Sequence, residues 1–315
     1  MTRPPVHVPV LVDEVMTYLA VRPGGTYIDG TTGLGGHSEA IAGAMGPEGR
    51  LLCLDRDADA LAIARERLRP FGHRITLVHA DFSELPDIAA AAGFTGVDGI
   101  LLDLGVSSLQ LDEAERGFAF GLEGPLDMRM DRRQALTAAE IVNTWAEPEI
   151  ADVLRTYGEV RQARRIAAAV VRARPVRTTW DLARAIEQAA GGVRGYQKTH
   201  PATQVFLALR VRVNGELDRL HAVLPRARSL LAPGTPRRGR LVVISFHSLE
   251  DRAVKEFFRR ESSDCLCPPR TPLCVCGHHA TLSLLTKKGV RPSGDEVASN
   301  PRSRSATLRA AERVA

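Results

Sequence analysis

The chain has 315 residues, 44% of them hydrophobic and 25% charged, which is enough for one large domain or a domain with an insertion. No apolar run approaches the roughly 18–20 residues that span a bilayer. Met1–His7 also lacks the apolar segment of a secretory signal, so the expected compartment is the cytoplasm. The net charge of +5 is unevenly placed: residues 1–150 hold 12 Lys+Arg against 23 Asp+Glu, and residues 151–315 hold 30 against 14. The basic half points to a polyanionic partner, nucleic acid, against the plainer reading of a solvated arginine-rich surface.

Thr26–His37 reads as a short strand ending in Asp29, then a glycine turn opening a helix. Glycines allow a tight turn and close approach of a ligand, and a helix start offers free N–H groups. A second strand, Leu51–Asp55, also ends in an acid, placed to bind a ribose diol. Two cofactor classes fit this pattern. A dinucleotide fingerprint would run Gly33, Gly35 and a third glycine, but Ser38 stands in the third place. S-adenosylmethionine has an amino-acid end and a ribose but no pyrophosphate, so Asp29 and Asp55 at two strand ends suit it better.

The strand-like runs continue with Ile75–His79 and Gly99–Asp103, and Ala58–Leu68 has helical periodicity. This alternation predicts an α/β fold with a doubly wound, mostly parallel sheet. Ligands in such sheets bind beyond the carboxyl ends of the strands, where Asp29, Asp55, Asp81 with Phe82, and Asp103 fall. After Ser108 the rhythm breaks into a Gly/Asp/Arg-rich loop and helical patterns at Ala138–Trp145, Glu147–Tyr157, Gln162–Ala173 and Trp180–Ala189. We read residues 111–198 as an inserted helical domain for substrate recognition, with 1–110 and 199–315 forming the core. Gln204–Leu231 reads as one long helix, broken or kinked at Pro225. Arg240–Ser245 is a strand and Leu249–Arg260 a helix, with Ser248 and Asp251 expected to form its capping box. The last 50 or so residues read as a basic, turn-rich tail suited to phosphate contacts, or as a frayed end.

Asp103 follows the fourth strand, where a reacting group would lie, although an acid there also suits a turn. His247 precedes the expected cap and should lie at the carboxyl edge of the sheet. Cys265, Cys267, Cys274 and Cys276 lie within twelve residues. In a cytosolic chain they favour one structural zinc over disulfides, with free thiols or a redox pair as the alternatives. Cys53, inside the second strand, reads as core.

Together these segments resemble the bacterial small-subunit ribosomal RNA cytosine-N4 methyltransferase family. The matching segments are His7-Val-Pro-Val-Leu11, Asp29–Ser38, Asp103–Gln110, Gly124–Arg129, Leu209–Leu217, Ser245–Arg252 and Asn300–Ser305. The resemblance implies the fold of class I S-adenosylmethionine-dependent methyltransferases, with a helical domain after the fourth strand. It implies methylation of a cytosine amine in the decoding region of small-subunit ribosomal RNA. On this chain the family's cofactor contacts fall on Gly35, Gly36, His37, Asp55, Phe82, Asp103 and Gln110. Asp103 is the first candidate to accept the amine hydrogen, with Ser107, Ser108 and His247 in reserve. The resemblance leaves metal binding and a homodimer open. Two rival readings remain. A DNA cytosine-N4 methyltransferase usually carries a Pro-Pro-Tyr run where Leu104-Gly-Val stands here. A non-catalytic RNA-binding assembly factor sits poorly with intact Asp29, Gly33, Gly35, Asp55 and Asp103.

Overall fold

The structure is a computed structural model that describes residues 9–191, 200–234, 237–268, 271 and 273–314. His7 and Val8 of the first matching segment, and Pro269, Arg270 and Pro272 between the cysteine pairs, lie outside the described residues.

In chain order, helix α1 (Val12–Leu19) precedes strand β1 (Thr26–Asp29), α2 (Gly36–Ala44), β2 (Arg50–Asp55), α3 (Ala58–Leu68) and β3 (Ile75–His79). Then come α4 (Leu85–Ala91), β4 (Gly99–Asp103) and α5 (Ser108–Asp112). Five helices follow: α6 (Ala138–Thr144), α7 (Glu147–Gly158), α8 (Ala163–Arg172), α9 (Thr179–Ala190) and α10 (Pro201–Asn214). The chain closes with α11 (Glu216–Leu230), β5 (Arg240–Ser245), α12 (Ser248–Glu261), β6 (Leu282–Leu284), α13 (Gly294–Ser299) and β7 (Thr307–Arg313).

Among the described residues, seven strands form one sheet in the order β3-β2-β1-β4-β5-β7-β6. The first five are parallel, and β7 runs antiparallel to both β5 and β6. Helices cover both faces of the sheet, so successive side chains of one strand enter different cores. Ile28, Leu52, Ile100, Leu102 and Val243 join one apolar cluster. Their chain neighbours Tyr27, Leu51, Cys53, Leu101 and Val242 join the other. This two-sided burial is why these strands appear in the sequence as unbroken apolar runs. The chain runs outward from β1 to β3 and returns to β4 beside β1, so the strand order reverses between β1 and β4. Ligand crevices in open α/β sheets form at such a switch point.

Contacts divide the chain into two compact units, Met1–Gly105 with Leu217–Ala315, and Val106–Glu216. The second unit extends past the expected boundary at 198, because α10 presents Val205, Phe206, Ala208 and Leu209 to the helical core. That core gathers Ile141, Ile150, Leu154, Ile166, Leu182 and Ile186 from α6, α7, α8 and α9. Buried Asn214, at the end of α10, donates to the Met128 carbonyl at 2.7 Å and accepts from the Met130 N–H at 2.8 Å. Two of the sequence segments that carry the resemblance therefore meet inside this unit to hold its loop.

Three expectations are corrected. The helix expected over Gln204–Leu231 is two helices, broken at Gly215 with φ 59°, and Pro225 lies inside α11. The carbonyl that Pro225 leaves without its helical donor belongs to the exposed His221, which makes the proline tolerable there. The cap of α12 is His247, not Ser248. Glu250 turns back to accept from the N–H groups of Phe246 at 2.9 Å and His247 at 3.3 Å. Asp251 is committed elsewhere, to a two-pronged pair with Arg309 on β7 at 2.7 and 3.0 Å. The basic C-terminal tail is not a tail: β7 is a sheet strand, with Thr307, Leu308, Ala310 and Ala311 buried.

Candidate active site at the strand ends

The loop after β1 is built by its own side chains. Asp29 is buried, and its carboxylate accepts from the Thr31 N–H at 3.1 Å and the Ser38 hydroxyl at 2.6 Å. Burial raises its pKa above the usual carboxylate range, against the lowering effect of the Ser38 bond. Ser38, which replaces the third glycine of a dinucleotide fingerprint, is thus the clamp on Asp29. Thr31 accepts the Asp103 N–H on its hydroxyl at 2.5 Å, tying the loop to the end of β4. Neither Thr31 nor Ser38 was singled out in the sequence as a site residue. The signal was the polar Asp-Gly-Thr-Thr run directly after an apolar strand.

Three glycines shape the turn. Gly33 and Gly35 have φ of 51° and 82°, a region costly for other residues. A Cβ on Gly36 would meet the Pro9 ring at 2.8 Å, so the chain passes there only without a side chain. Gly36 begins α2, and His37 follows at its first turn.

Asp55 ends β2 half-buried. It accepts the Gly33 N–H at 2.6 Å on one oxygen and the Asp57 N–H at 2.8 Å on the other. Burial pushes its pKa up to about 6, although both backbone bonds pull it down. Phe82 follows β3, half-buried in a turn that Asp81 caps through the Ser83 N–H at 2.9 Å. Asp81 in turn faces Arg56 at 3.5 Å and pairs with Arg219.

At the end of β4, Asp103 Oδ2 stands 3.5 Å from His37 Nε2. His37 is 5% exposed, and neither ring nitrogen makes a hydrogen bond among the described residues, nor does Asp103 Oδ1. Polar atoms buried without partners are costly. Their presence beside a glycine cradle fits a polar ligand group that would complete them. The fit to S-adenosylmethionine is therefore good: a glycine-rich backbone turn, a carboxylate at the neighbouring strand end, and polar atoms without hydrogen bonds at the switch point.

The profile of the MraW methylase family matches residues 5–314. The chain belongs to the MraW methylase family. Ribosomal RNA small subunit methyltransferase H of Thermomicrobium roseum is 53% identical over 98% of this chain and 94% of its own. Its counterpart from Symbiobacterium thermophilum is 52% identical over 96% and 95%. A third, from Syntrophotalea carbinolica, is 49% identical over 98% of each chain.

The remaining predicted residues lie elsewhere in their units. Gln110 belongs to the second unit, where it is buried. Its side chain accepts the Ser107 N–H at 3.0 Å, while Ser107 accepts the Gln110 N–H at 3.3 Å, capping α5. His247 caps α12 after β5, its Nε2 3.1 Å from Glu250 Oε1. The four cysteines occupy the loop after α12. Among the described residues, no helix is long and apolar enough to cross a membrane.

Proposed function

We propose that this chain transfers a methyl group from S-adenosylmethionine to the exocyclic N4 amine of a cytosine in the decoding region of small-subunit ribosomal RNA. The observation that carries the reading is the His37–Asp103 pair beside the glycine turn, whose His37 ring nitrogens and Asp103 Oδ1 make no hydrogen bond among the described residues, in a chain of this family. The relatives named as small-subunit ribosomal RNA methyltransferases support the substrate class. So does the excess of basic residues in the second half of the chain.

When bound, S-adenosylmethionine supplies a methyl group made electrophilic by its sulfonium. The free N–H groups at the start of α2 and the turn at Gly33–Gly36 receive the amino-acid end. Asp55 accepts hydrogen bonds from the ribose hydroxyls with the lone pairs that Gly33 and Asp57 leave open. Phe82 packs against the adenosine. Asp29 acts as a positioning residue, since it is fully buried and its carboxylate holds the Thr31 N–H and the Ser38 hydroxyl of the loop.

The cytosine amine is a weak nucleophile, because its lone pair is delocalised into the ring. A base in a helix must also leave its stack to reach such a pocket. Asp103 would accept an amine hydrogen through its open oxygen, which favours a pyramidal nitrogen, and would take the proton once the N–C bond has formed and the methyl–sulfur bond has broken, its electron pair left on sulfur. His37, 3.5 Å away, steadies the Asp103 carboxylate. His247 is the second candidate acceptor. Alignment of the amine with the methyl–sulfur bond supplies much of the remaining rate.

The test is mass mapping of small-subunit RNA from cells with and without this protein. One cytosine should lose a methyl group in its absence, and purified protein with S-adenosylmethionine should restore it. An unchanged methylation map refutes the proposal. Protein that binds small-subunit RNA but neither binds S-adenosylmethionine nor methylates favours a non-catalytic assembly factor.

A further inference from the structure

Among the described residues, the chain between α12 and β6 has no apolar core of its own. Leu266, Leu273 and Val275 are 45%, 78% and 84% exposed. The base of this loop is nevertheless tied. Glu261 pairs with Arg228 and accepts the Thr281 hydroxyl at 2.7 Å, while the Thr281 N–H donates to the Glu261 carbonyl at 2.8 Å. The Ala280 N–H donates to Asp264 at 3.2 Å, and His278 Nε2 lies 3.0 Å from the Arg260 carbonyl oxygen.

Beyond the base, four thiols converge. The sulfur of Cys265 is 3.5 Å from that of Cys274 and 3.8 Å from that of Cys276, and the last two are 3.6 Å apart. All four, Cys267 included, have their sulfurs within 4.8 Å of one another. Four thiolates around one zinc at about 2.3 Å in a tetrahedron stand about 3.8 Å apart. The separations found match that geometry. They are too long for disulfide bonds, whose sulfurs lie about 2.05 Å apart. A polynuclear cluster would hold its thiolates farther apart than a single ion does. The two C-x-C turns also serve each other: the Leu266 N–H donates to Cys276 at 3.3 Å, and the Val275 N–H to Cys267 at 3.4 Å. Such amide donors favour thiolate over thiol and orient the sulfur.

We infer that Cys265, Cys267, Cys274 and Cys276 bind one zinc ion in a closed four-thiolate site. The four positions are filled by protein, so no place remains for water or substrate, and the role is structural. The ion replaces the missing core: its binding free energy holds together the two cysteine turns, whose described residues bury little else. This site stands independently of the methyl-transfer reading.

The experiment uses the full chain, untagged and purified without added metal. Elemental analysis should find about one zinc per chain. Cobalt(II) exchanged into the site should show thiolate-to-metal charge-transfer absorption, and the double variant Cys274→Ser/Cys276→Ser should lose the metal. Cys53→Ala should keep it. Chelation should make residues 262–281 sensitive to protease while the sheet stays folded by circular dichroism. If the double variant does not fold, the wild-type zinc content and cobalt spectrum decide alone. Less than a tenth of a zinc per chain with four freely titrating thiols overturns the inference. A mass showing two disulfides in the native protein overturns it equally.

Discussion

Asp55 offers the sharpest test of the cofactor site, because its environment sets both a pH and a sign. Burial pushes its pKa up to about 6, against about 3.9 for a free aspartate. A carboxyl raised in the folded state binds its proton more tightly there than in the unfolded chain. Its contribution therefore favours the unliganded fold below pH about 4 and is lost as pH rises through about 6. At neutral pH the ionised, half-buried group costs the empty protein up to about 3 kcal/mol. A ribose diol donating to the carboxylate needs this ionised form. Only about one-tenth of Asp55 is ionised at pH 5, so cofactor affinity should be about tenfold weaker at pH 5 than at pH 7. The ligand's own amine stays largely protonated across that range.

Isothermal titration with S-adenosylmethionine at several pH values from 5 to 7 reads the step directly. Asp55→Asn keeps the shape but removes the titrating group. Its affinity at pH 7 should fall by about 1.5–3 kcal/mol, as for a lost hydrogen bond to a charged group, and the step should disappear. A flat wild-type profile would remove Asp55 from the ribose contact. An equal step in the variant would assign the pH dependence to another group, with buried Asp29 the first to examine.

Asp103→Asn should lower the methyl-transfer rate by about 10²–10⁴-fold while leaving cofactor affinity within a few-fold; parallel loss of both makes Asp103 a cofactor ligand instead. Arg309→Ala should destabilise the protein by about 1.5–3 kcal/mol in urea unfolding, because it frees Asp251 from the pair that joins α12 to β7. Truncation after Gly294 removes β7 from between β5 and β6, so no cooperative unfolding transition should remain. A soluble truncated protein with native cofactor affinity would contradict that placement.

The five parallel strands were legible because β1, β2, β4 and β5 are buried on two faces, partly buried edge strand β3 keeps the apolar run Ile75-Thr-Leu-Val, and each ends at a polar residue. Strand β7 was not. Its Thr-Leu-Arg-Ala-Ala-Glu-Arg is rich in residues that favour helices, and small Ala310 and Ala311 give no strong apolar signal. Its form is imposed by six register pairs with β5, a tertiary constraint absent from local sequence. The break at Gly215 was missed for the opposite reason: Pro225 is the stronger local signal, but an exposed helix face tolerates it. The cap of α12 shifted by one residue because two adjacent acids could serve, and Arg309, distant in sequence, claims Asp251.

The three strand-end acids differ in what the fold leaves them. Asp29 takes one hydrogen bond on each oxygen, as Asp55 does, but is fully buried, so its remaining lone pairs face the protein interior and its role is to organise the loop. Asp55 spends one lone pair of each oxygen on a backbone N–H and remains half-open, which suits a permanent contact with hydroxyls. Asp103 keeps one oxygen without a hydrogen bond and turns the other toward His37 at 3.5 Å, whose ring nitrogens likewise make no hydrogen bond among the described residues. A folding-only pressure would fill these atoms, because unmet buried polar groups are among the costlier defects a core can carry. The open bonding capacity at the carboxyl end of β4, on Asp103 Oδ1 and His37 Nδ1, is what the proposed methyl-transfer reading uses.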